Sequence, residues 1–261
     1  MKIIFSDLDG TLLDHDSYSF TSALEALQLV KQRNIPLIFC TSKTMKESCY
    51  WRDKIGNSHP FIVENGGGIY IPKQYFSFPF EYSKKNPLYY IIELGAPFSL
   101  LKSTMNELEN HFDISSFLTM TVDTIMRITN LPRDQAKLAS QREFDIPFII
   151  KDETQLPEIT RTIKKHQLFL TKGGRFYHLT GDNDKGKAVT LLTELFKKQY
   201  ETLVTIGIGD SENDIAMLTQ VSKPYVVKRP NGSYVSNLFF HAKGIGPLGW
   251  KHIIEQELGS N

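Results

Sequence analysis

The first thirteen residues, Met-Lys-Ile-Ile-Phe-Ser-Asp-Leu-Asp-Gly-Thr-Leu-Leu (1–13), decide the fold class. The apolar residues in 2–6 predict a short buried strand, and Asp7 and Asp9 follow it directly. Open parallel sheets bind ligands beyond the carboxyl ends of their strands, so both carboxylates are expected in a crevice there. In an extended chain Asp7 and Asp9 point the same way, and Gly10 permits a sharp turn. Two such carboxylates need a cation or a shared proton; the alternative is an ordinary Asx-rich turn.

Apolar runs alternate with helical segments in the first third of the chain and again near its C-terminus. Strands are predicted at 35–40, 61–64, 203–208 and 225–227, and helices at 44–54, 184–196, 214–219 and 250–254. Ser22 and Glu25 have the spacing of a capping box before a further helix that extends to Val30. Such alternation predicts an α/β fold with a Rossmann-like, doubly wound parallel-sheet core.

The middle of the chain has a different pattern, which predicts an inserted α+β cap domain. Strands are expected at 89–94, 148–151, 167–171 and 175–179, and helices at 101–108 and 132–141. The last two strands are joined by Lys172-Gly173-Gly174, a hairpin turn that suits an antiparallel sheet. We therefore predict a core formed by residues 1–81 and 182–261, with an inserted domain at residues 82–181.

The composition limits the classes of function. A formal net charge of +1 argues against a nucleic-acid binder that works by bulk charge. The two cysteines, Cys40 and Cys49, form no disulfide framework, and their spacing matches no metal motif. The chain shows no signal peptide and no run long enough to span a membrane, so a cytoplasmic protein is expected. The sequence does not predict an oligomeric state.

A second acidic segment, Gly-Ile-Gly-Asp-Ser-Glu-Asn-Asp (207–214), follows the strand predicted at 203–208. It brings Asp210 and Asp214 to the same edge of the sheet as Asp7 and Asp9. Carboxylates that converge in this way repel one another unless a divalent ion binds, and hard oxygen ligands suit Mg²⁺. Asp214 can also cap the helix that follows, and the two roles are compatible.

Two further segments have the composition of an anion site. Thr41-Ser42-Lys43-Thr44 ends the second strand and offers hydroxyl and backbone donors to a phosphate, although a plain helix cap is the simpler interpretation. Asp184-Lys185-Gly186-Lys187 opens a helix with two lysines, which the helix dipole disfavours. An anionic partner explains those lysines, and a solvated helix face is the alternative.

In this order, these four segments resemble the haloacid dehalogenase-like phosphatase superfamily along the whole chain. The resemblance implies that Asp7 is the nucleophile and Asp9 the general acid and base, and that Thr41 and Lys185 bind the transferring phosphoryl group. It further implies that Mg²⁺ is held by Asp7, Asp210 and the backbone carbonyl of Asp9. Asp214 supports the metal site in this scheme.

The insertion resembles the large cap of the Cof-type branch. Glu-Asn-Gly-Gly-Gly (64–68), Arg-Glu-Phe (142–144) and Gly-Gly-Arg-Phe-Tyr-His (173–178) resemble the mannosyl-3-phosphoglycerate phosphatases, an enzyme class of mannosylglycerate biosynthesis. Thr-Ser-Lys-Thr (41–44) strengthens the match, because the wider branch has Gly-Arg where Ser42-Lys43 stands. The implied substrate is a small phosphorylated sugar-glycerate. The implied substrate contacts are Ser42, Lys43, Asn65, Gly66, Gly67, Arg142, Arg175 and His178.

Within this resemblance, the glycerate carboxylate needs a bidentate cation, which Arg175 or Arg142 can supply. Sugar hydroxyls need polar partners such as Asn65, Glu143 and His178. Purely structural interpretations remain for Arg175 as a surface arginine, for His178 as a buried histidine and for Arg142 and Glu143 as a solvated pair. No motif separates mannosyl from glucosyl substrates. A broader sugar-phosphate phosphatase, a phosphosugar mutase and a non-enzymatic magnesium- or phosphate-binding module remain as alternatives.

Overall fold

A computed structural model describes residues 1–173 and 176–259. The strands in this part of the chain are β1 (Lys2–Ser6), β2 (Leu37–Cys40), β3 (Phe61–Val63), β4 (Gly68–Pro72), β5 (Lys84–Lys85), β6 (Tyr89–Glu93), β7 (Ile114–Ser116), β8 (Asp145–Ile150), β9 (Phe169–Gly173), β10 (Phe176–Thr180), β11 (Val204–Gly209), β12 (Lys223–Lys228) and β13 (Phe240–Ile245). The α-helices are α1 (Leu24–Gln32), α2 (Met45–Ile55), α3 (Phe98–His111), α4 (Val122–Thr129), α5 (Arg133–Ala139), α6 (Leu156–Lys165), α7 (Lys185–Lys197), α8 (Ile215–Leu218) and α9 (Gly246–Leu258).

A nine-stranded sheet forms the larger part of the molecule, in the order β13-β12-β11-β1-β2-β3-β4-β6-β5. The six strands from β13 to β3 are parallel, whereas β4, β6 and β5 are antiparallel to their neighbours. β1 lies in the interior of this sheet between β11 and β2. The carboxyl ends of β1, β2 and β11 therefore meet at one edge, where polar ligands of such sheets bind.

Two apolar layers cover this sheet, and β1 shows why. Ile4 belongs to the core beneath α1, α2 and α9, whereas Ile3 and Phe5 belong to the core beneath α7 and α8. Successive side chains of a strand point to opposite faces, so a strand that is apolar at every position is buried on both. The α/β, Rossmann-like core predicted from the sequence is confirmed.

A second, four-stranded antiparallel sheet has the order β7-β8-β10-β9. Helices α3 and α6 pack against it through Leu101, Met105, Ile159 and Ile163. Helices α4 and α5 form a smaller cluster around Ile125. This sheet and its helices are called the inserted domain below.

The strand predicted at 89–94 as part of the insertion pairs elsewhere, and so does a short strand at Lys84–Lys85 that was not predicted. β6 pairs with β4 and β5 pairs with β6, so both extend the nine-stranded sheet. An apolar strand such as Tyr89–Glu93 has the same pattern in either sheet, and only its pairing decides. We propose that the inserted domain starts after Glu93 rather than at residue 82, and the remaining boundaries stay predictions.

The capping box expected at Ser22 and Glu25 is wrong. A turn of 3-10 helix occupies Thr21–Ala23 and α1 begins at Leu24, without a side-chain cap at Ala23. A capping box exists instead at the start of α2, where Thr44 and Glu47 exchange side-chain and backbone hydrogen bonds. No helix in the described ranges is long and apolar enough to cross a membrane.

Candidate active site

A buried ionic cluster lies at the carboxyl ends of β1 and β11. The ammonium of Lys185, the first residue of α7, lies 2.7 Å from Asp7 Oδ1 and 2.6 Å from Asp214 Oδ1. Asp210, directly after β11, completes the group, which we call the core cluster (Asp7, Lys185, Asp210, Asp214). All four residues are buried. The expectation that distant segments bring these side chains together is confirmed by this geometry.

Local structure fixes the two carboxylates that follow β11. Asp214 Oδ2 accepts hydrogen bonds from the backbone N–H groups of Asp210 and Ser211, each at 3.0 Å. Both oxygens of Asp214 are thereby engaged, as befits a supporting role. Asp210 Oδ1 accepts a bond from the Thr11 hydroxyl at 3.1 Å. Its Oδ2 lies only 2.8 Å from where a Cβ on Gly10 would stand, so a side chain at Gly10 would fill this space.

The core cluster carries more negative than positive charge. Three carboxylates face one ammonium, which leaves two excess negative charges when all are ionised. Burial, Asp214 and Asp210 raise the pKa of Asp7 well above its usual value, against the effect of Lys185. Burial and Asp214 likewise raise the pKa of Asp210 to about 7. The opposite charges of Asp214 and Asp7 outweigh burial at Lys185 and raise its pKa.

These residues fit a divalent cation. One oxygen from each of Asp7, Asp210 and Asp214 can be chosen so that all three lie within 4.8 Å of one another. Asp7 and Asp210 use Oδ1 for Lys185 and Thr11, which leaves Oδ2 of each for another ligand. Carboxylate oxygens are hard donors, and a divalent ion would balance the two excess charges. The cluster therefore fits the ion implied by the sequence.

Asp9 pairs with a lysine that sequence reasoning assigned to substrate binding. Lys43 Nζ lies 2.9 Å from Asp9 Oδ2 and 3.7 Å from Glu47 Oε1. Burial alone would lower the pKa of Lys43, but the two carboxylates outweigh it and raise that pKa. The other oxygen of Asp9, Oδ1, is buried and has no hydrogen-bond partner among residues 1–173 and 176–259. Thr41 is fully buried beside this pair, and its hydroxyl accepts the N–H of Lys43 at 3.2 Å.

A second buried ionic cluster joins the core to the inserted domain. Glu64 follows β3 in the core, whereas Arg142, Asp145 and His178 belong to the inserted domain. Arg142 Nε lies 2.6 Å from Asp145 Oδ1 and 3.6 Å from Glu64 Oε2. His178 Nδ1 lies 3.0 Å from Asp145 Oδ2. We call these four residues the interdomain cluster.

The pKa values of the two carboxylates of the interdomain cluster are shifted in opposite directions. Burial raises the pKa of Glu64 to about 7, against the effect of Arg142. Asp145 is also fully buried, but Arg142 and His178 outweigh burial and hold its pKa below the usual value. Arg142 lies 1 Å closer to Asp145 than to Glu64, His178 contacts Asp145, and the charge of Asp145 itself raises the pKa of Glu64.

The glycine-rich turn after β3 packs against the site. Asn65 Oδ1 accepts a hydrogen bond from Asn213 Nδ2 at 3.0 Å. A Cβ on Gly66 would lie 2.1 Å from the Asp184 carbonyl oxygen, and one on Gly67 would lie 2.2 Å from Phe144 Cβ. Both glycines therefore permit close backbone packing. Their assignment to substrate binding stays a prediction.

A cleft of about 440 Å³ opens onto the core cluster and the inserted domain. Its lining includes Asp7, Asp9, Ser42, Asn65, His178, Lys185 and Asp210 among the residues expected from the sequence. An adjoining cleft of about 420 Å³ shares Asp9, Ser42 and His178 and adds Lys43 and Arg142. Arg175 and Gly174 lie outside the described residues. The Glu143 carboxylate accepts hydrogen bonds from the core, from the Tyr70 hydroxyl at 2.9 Å and from Lys84 Nζ at 3.3 Å.

Sequence reasoning missed several residues of the site. Thr11 binds Asp210, and Arg229 Nε donates to the Asp210 carbonyl oxygen at 2.8 Å. Thr11 stands inside the first motif and could have been found there, whereas Arg229 carries no signal. Buried oxygen atoms of Thr180 and Asn183 line the cleft without a hydrogen-bond partner in the described protein. Unpaired buried polar atoms in a cleft are suited to a polar ligand.

The chain matches the family model for haloacid dehalogenase-like hydrolases over residues 4–234. A glucosyl-3-phosphoglycerate/mannosyl-3-phosphoglycerate phosphatase of Methanococcoides burtonii is 42% identical over 99% of this chain and 98% of its own. A protein of the same name from Persephonella marina is also 42% identical, over 97% and 95% of the two chains. A mannosyl-3-phosphoglycerate phosphatase of Pyrococcus furiosus is 34% identical over 87% and 91%.

Solved structures show the same fold. A crystal structure of the protein 0175 of Thermoplasma acidophilum aligns with a TM-score of 0.71 at 19% identity, over 99% of both chains. The subclass IIB sugar phosphatase BT4131 aligns with a TM-score of 0.67 at 13% identity, again over 99% of both. At such low identities the structural matches show a shared fold. Membership of the family rests on the family model and on the relatives found by sequence. The chain belongs to the haloacid dehalogenase-like hydrolase family.

Proposed function

We propose that this protein is a Mg²⁺-dependent phosphatase that hydrolyses mannosyl-3-phosphoglycerate or glucosyl-3-phosphoglycerate to the glycosylglycerate and phosphate. The observation that carries the proposal is the core cluster, in which a buried aspartate after β1 contacts a buried lysine and faces a cleft beneath the inserted domain. The names of relatives that are 42% identical over nearly the whole chain support this substrate class.

The first chemical step is attack by Asp7 on the phosphorus atom, which gives an aspartyl-phosphate. A carboxylate must be ionised to attack, and Lys185 at 2.7 Å favours that form. Lys185 is also placed to share the charge of the phosphoryl oxygens. A bound Mg²⁺ would reduce the repulsion between Asp7 and the phosphate dianion. Asp7, Asp210 and the Asp9 carbonyl would hold it, with Asp214 in support.

Asp9 carries the proton transfers in this scheme. Its side chain is 37% exposed, so it can reach the leaving oxygen of the glycerate and later a water molecule. Asp9 protonates that oxygen in the first step and takes a proton from water in the second, which frees phosphate and restores Asp7. Lys43 at 2.9 Å holds Asp9 in place between the two adjoining clefts.

The cleft offers groups for the rest of the substrate. Thr41 and Ser42 follow β2 and are assigned to the phosphoryl oxygens, and Lys43 is the described cation that pairs with Asp9. The unpaired oxygen atoms of Thr180 and Asn183 suit sugar hydroxyl groups, which donate hydrogen bonds. Arg175 remains the predicted reader of the glycerate carboxylate. The cytoplasmic location stays a prediction.

The test is phosphate release in the presence of Mg²⁺ from mannosyl-3-phosphoglycerate, glucosyl-3-phosphoglycerate, simple hexose phosphates and an aryl phosphate. We expect the two glycosyl compounds to give kcat/KM values at least ~10-fold above the hexose phosphates, about 1.4 kcal/mol of transition-state binding. Equal rates on all sugar phosphates would indicate a broader phosphatase. An isomerised phosphosugar without free phosphate would indicate a mutase.

A further inference from the structure

The turn Glu64–Gly66 has an unusual backbone. Its three residues have φ angles of 47°, 55° and 87° in chain order. Glycine adopts this left-handed region freely and asparagine tolerates it, but at Glu64 it costs about 1–3 kcal/mol. A strained residue persists only where its surroundings hold it, so the contacts of this turn indicate its purpose.

The backbone of this turn contacts three segments of the core site. The N–H of Asn65 donates to the Thr41 carbonyl oxygen at 3.0 Å, and the Asn65 side chain accepts from Asn213. Gly66 lies against the Asp184 carbonyl oxygen at the start of α7. The turn is therefore anchored among the segments that carry Thr41, Lys185 and Asp210.

The side chain of Glu64 contacts the inserted domain instead. Its fully buried carboxylate accepts the backbone N–H groups of Glu143, Phe144 and Asp145 at 3.0, 2.7 and 3.0 Å. These are consecutive residues, so a single carboxylate holds a run of amides at the start of β8. Hydrogen bonds to an ionised acceptor are roughly twice as strong as neutral ones.

Arg142 and Asp145 extend this contact to the cleft. The guanidinium of Arg142 pairs with Asp145 and Glu64 and donates from Nη2 to the Ser42 carbonyl oxygen at 2.8 Å. The other oxygen of Asp145 forms a hydrogen bond with Nδ1 of His178. His178 lines the cleft, and its second ring nitrogen, Nε2, can contact a ligand there. A Cβ on Gly173 would lie 3.3 Å from that Nε2, so glycine at this position leaves room beside it.

We infer that Glu64 is a positioning residue for substrate recognition. Together with Arg142 and Asp145 it fastens the 142–145 segment to the core and thereby orients Nε2 of His178 towards the part of the substrate beyond the phosphate. Arg142 has its charge committed to this cluster, so it orients the protein instead of reading the carboxylate. The inference rests on the proposed function only for the identity of the group that His178 meets.

Hydrogen exchange tests the contact directly, without a substrate. Glu64→Gln keeps the side-chain size but removes the charge, so one neutral carbonyl oxygen replaces the ionised acceptor of the three amides. At pH 8, where Glu64 is ionised in the wild type, the amides of 143–145 should exchange at least ~10-fold faster in Glu64→Gln. Glu257→Gln is the matched control, because Glu257 is a buried carboxylate held by Lys223 and Tyr225 far from the inserted domain. Unchanged protection in Glu64→Gln would overturn the inference.

Kinetics separate positioning from general support of the fold. Glu64→Gln should lower kcat/KM for mannosyl-3-phosphoglycerate at least ~10-fold, mainly through KM, and leave an aryl phosphate within about 2-fold. In the Glu64→Gln background, His178→Ala should add little further loss, because the histidine has already lost its orientation. Equal losses on both substrates, or fully additive losses, would contradict the inference.

Two outcomes keep the proposals distinct. A wild-type protein that hydrolyses the aryl phosphate but no glycosyl-phosphoglycerate would refute the proposed substrate, and the exchange experiment would still decide on Glu64. If Glu64→Gln does not fold, Arg142→Lys takes its place, since lysine keeps the charge but cannot reach Asp145 and Ser42 together. It should give the same substrate-selective loss, and an unchanged ratio between the two substrates would again contradict the inference.

Discussion

The core cluster and the interdomain cluster are both buried groups of four ionisable residues that each contribute to the lining of one cleft, through Asp7, Lys185 and Asp210 in the first and His178 in the second, yet they differ in how their carboxylates are paired. The core cluster keeps two excess negative charges, and its carboxylate oxygens point into shared space. In the interdomain cluster, Arg142 and three backbone amides occupy the carboxylates. Unbalanced charge marks the place where an ion and a phosphate can bind. Carboxylates that are held by protein donors mark a place where the protein binds itself.

The largest effect is expected for Asp7→Asn, which replaces the proposed nucleophile with an isosteric amide. Phosphate release should fall by at least about 10⁴-fold, because the amide cannot form the acyl phosphate. The melting temperature should be unchanged or higher, since one excess negative charge is removed. Calorimetry and a phosphate assay measure both quantities. The exposed Asp53→Asn is the control and should match the wild type; a large loss of stability in Asp7→Asn would break the distinction between the clusters.

Metal removal should follow in size. Excess chelator should abolish activity and Mg²⁺ should restore it, because the three carboxylates of the core cluster outnumber its one ammonium. Asp210→Ala should raise the Mg²⁺ concentration for half-maximal rate by at least ~10-fold, in line with the loss of one charged ligand. Titration of the rate against Mg²⁺ measures this. Full activity in chelator would remove the metal assignment.

Disruption of the interdomain cluster should lower the free energy of unfolding. Arg142→Met leaves Glu64 and Asp145 without their cation, so the free energy of unfolding should fall by about 3–5 kcal/mol. Arg133→Met is the matched control, because its pair with Asp123 is exposed and contributes at most about 1 kcal/mol. Urea denaturation compares the two variants. Similar small losses would show that the interdomain cluster is not a structural unit.

The smallest effect concerns acid stability. The pKa of Asp145 is held below its usual value by Arg142 and His178, so the ionised form stabilises the folded state above the unfolded pKa of about 3.9. That stabilisation is lost as the pH falls through the lower folded pKa. Asp145→Asn should cost about 1–3 kcal/mol at pH 7 and show a flatter decline below pH 4. The exposed Asp113→Asn should retain the wild-type slope. A slope in Asp145→Asn equal to the wild type would exclude this assignment.

The two clusters also differ in how far the sequence predicted them. Asp7 and Asp210 stand directly after apolar strands, and the edge rule for parallel sheets brings such positions together. Lys185 was found because a lysine at a helix start is locally unfavourable. These signals are local, and each can be recognised without knowing which residue the side chain contacts in the fold.

The interdomain cluster has no such signal. Glu64 binds amides 79–81 residues away, and backbone N–H groups have the same sequence signature everywhere. Arg142 is predicted, after Arg175, as a partner of the substrate carboxylate because its type suits that ligand, and the sequence does not show that two protein carboxylates and a carbonyl also bind it in the fold. The sheet membership of Tyr89–Glu93 escaped prediction for the same reason, since pairing partners are a tertiary choice.

The position of β1 between β11 and β2 affects the order in which parts of the chain can fold during synthesis. β1 pairs with β11, which begins some two hundred positions later, so the segment that carries Asp7 leaves the ribosome long before its neighbouring strand. The inserted domain, in contrast, has all four strands between Ile114 and Thr180 and can close while synthesis continues. Pairing across such long separations is slow because loop closure must come first. We therefore expect a nascent chain stopped before Val204 to contain a folded inserted domain. Its larger sheet would lack β11, β12 and β13, and the chain would be inactive.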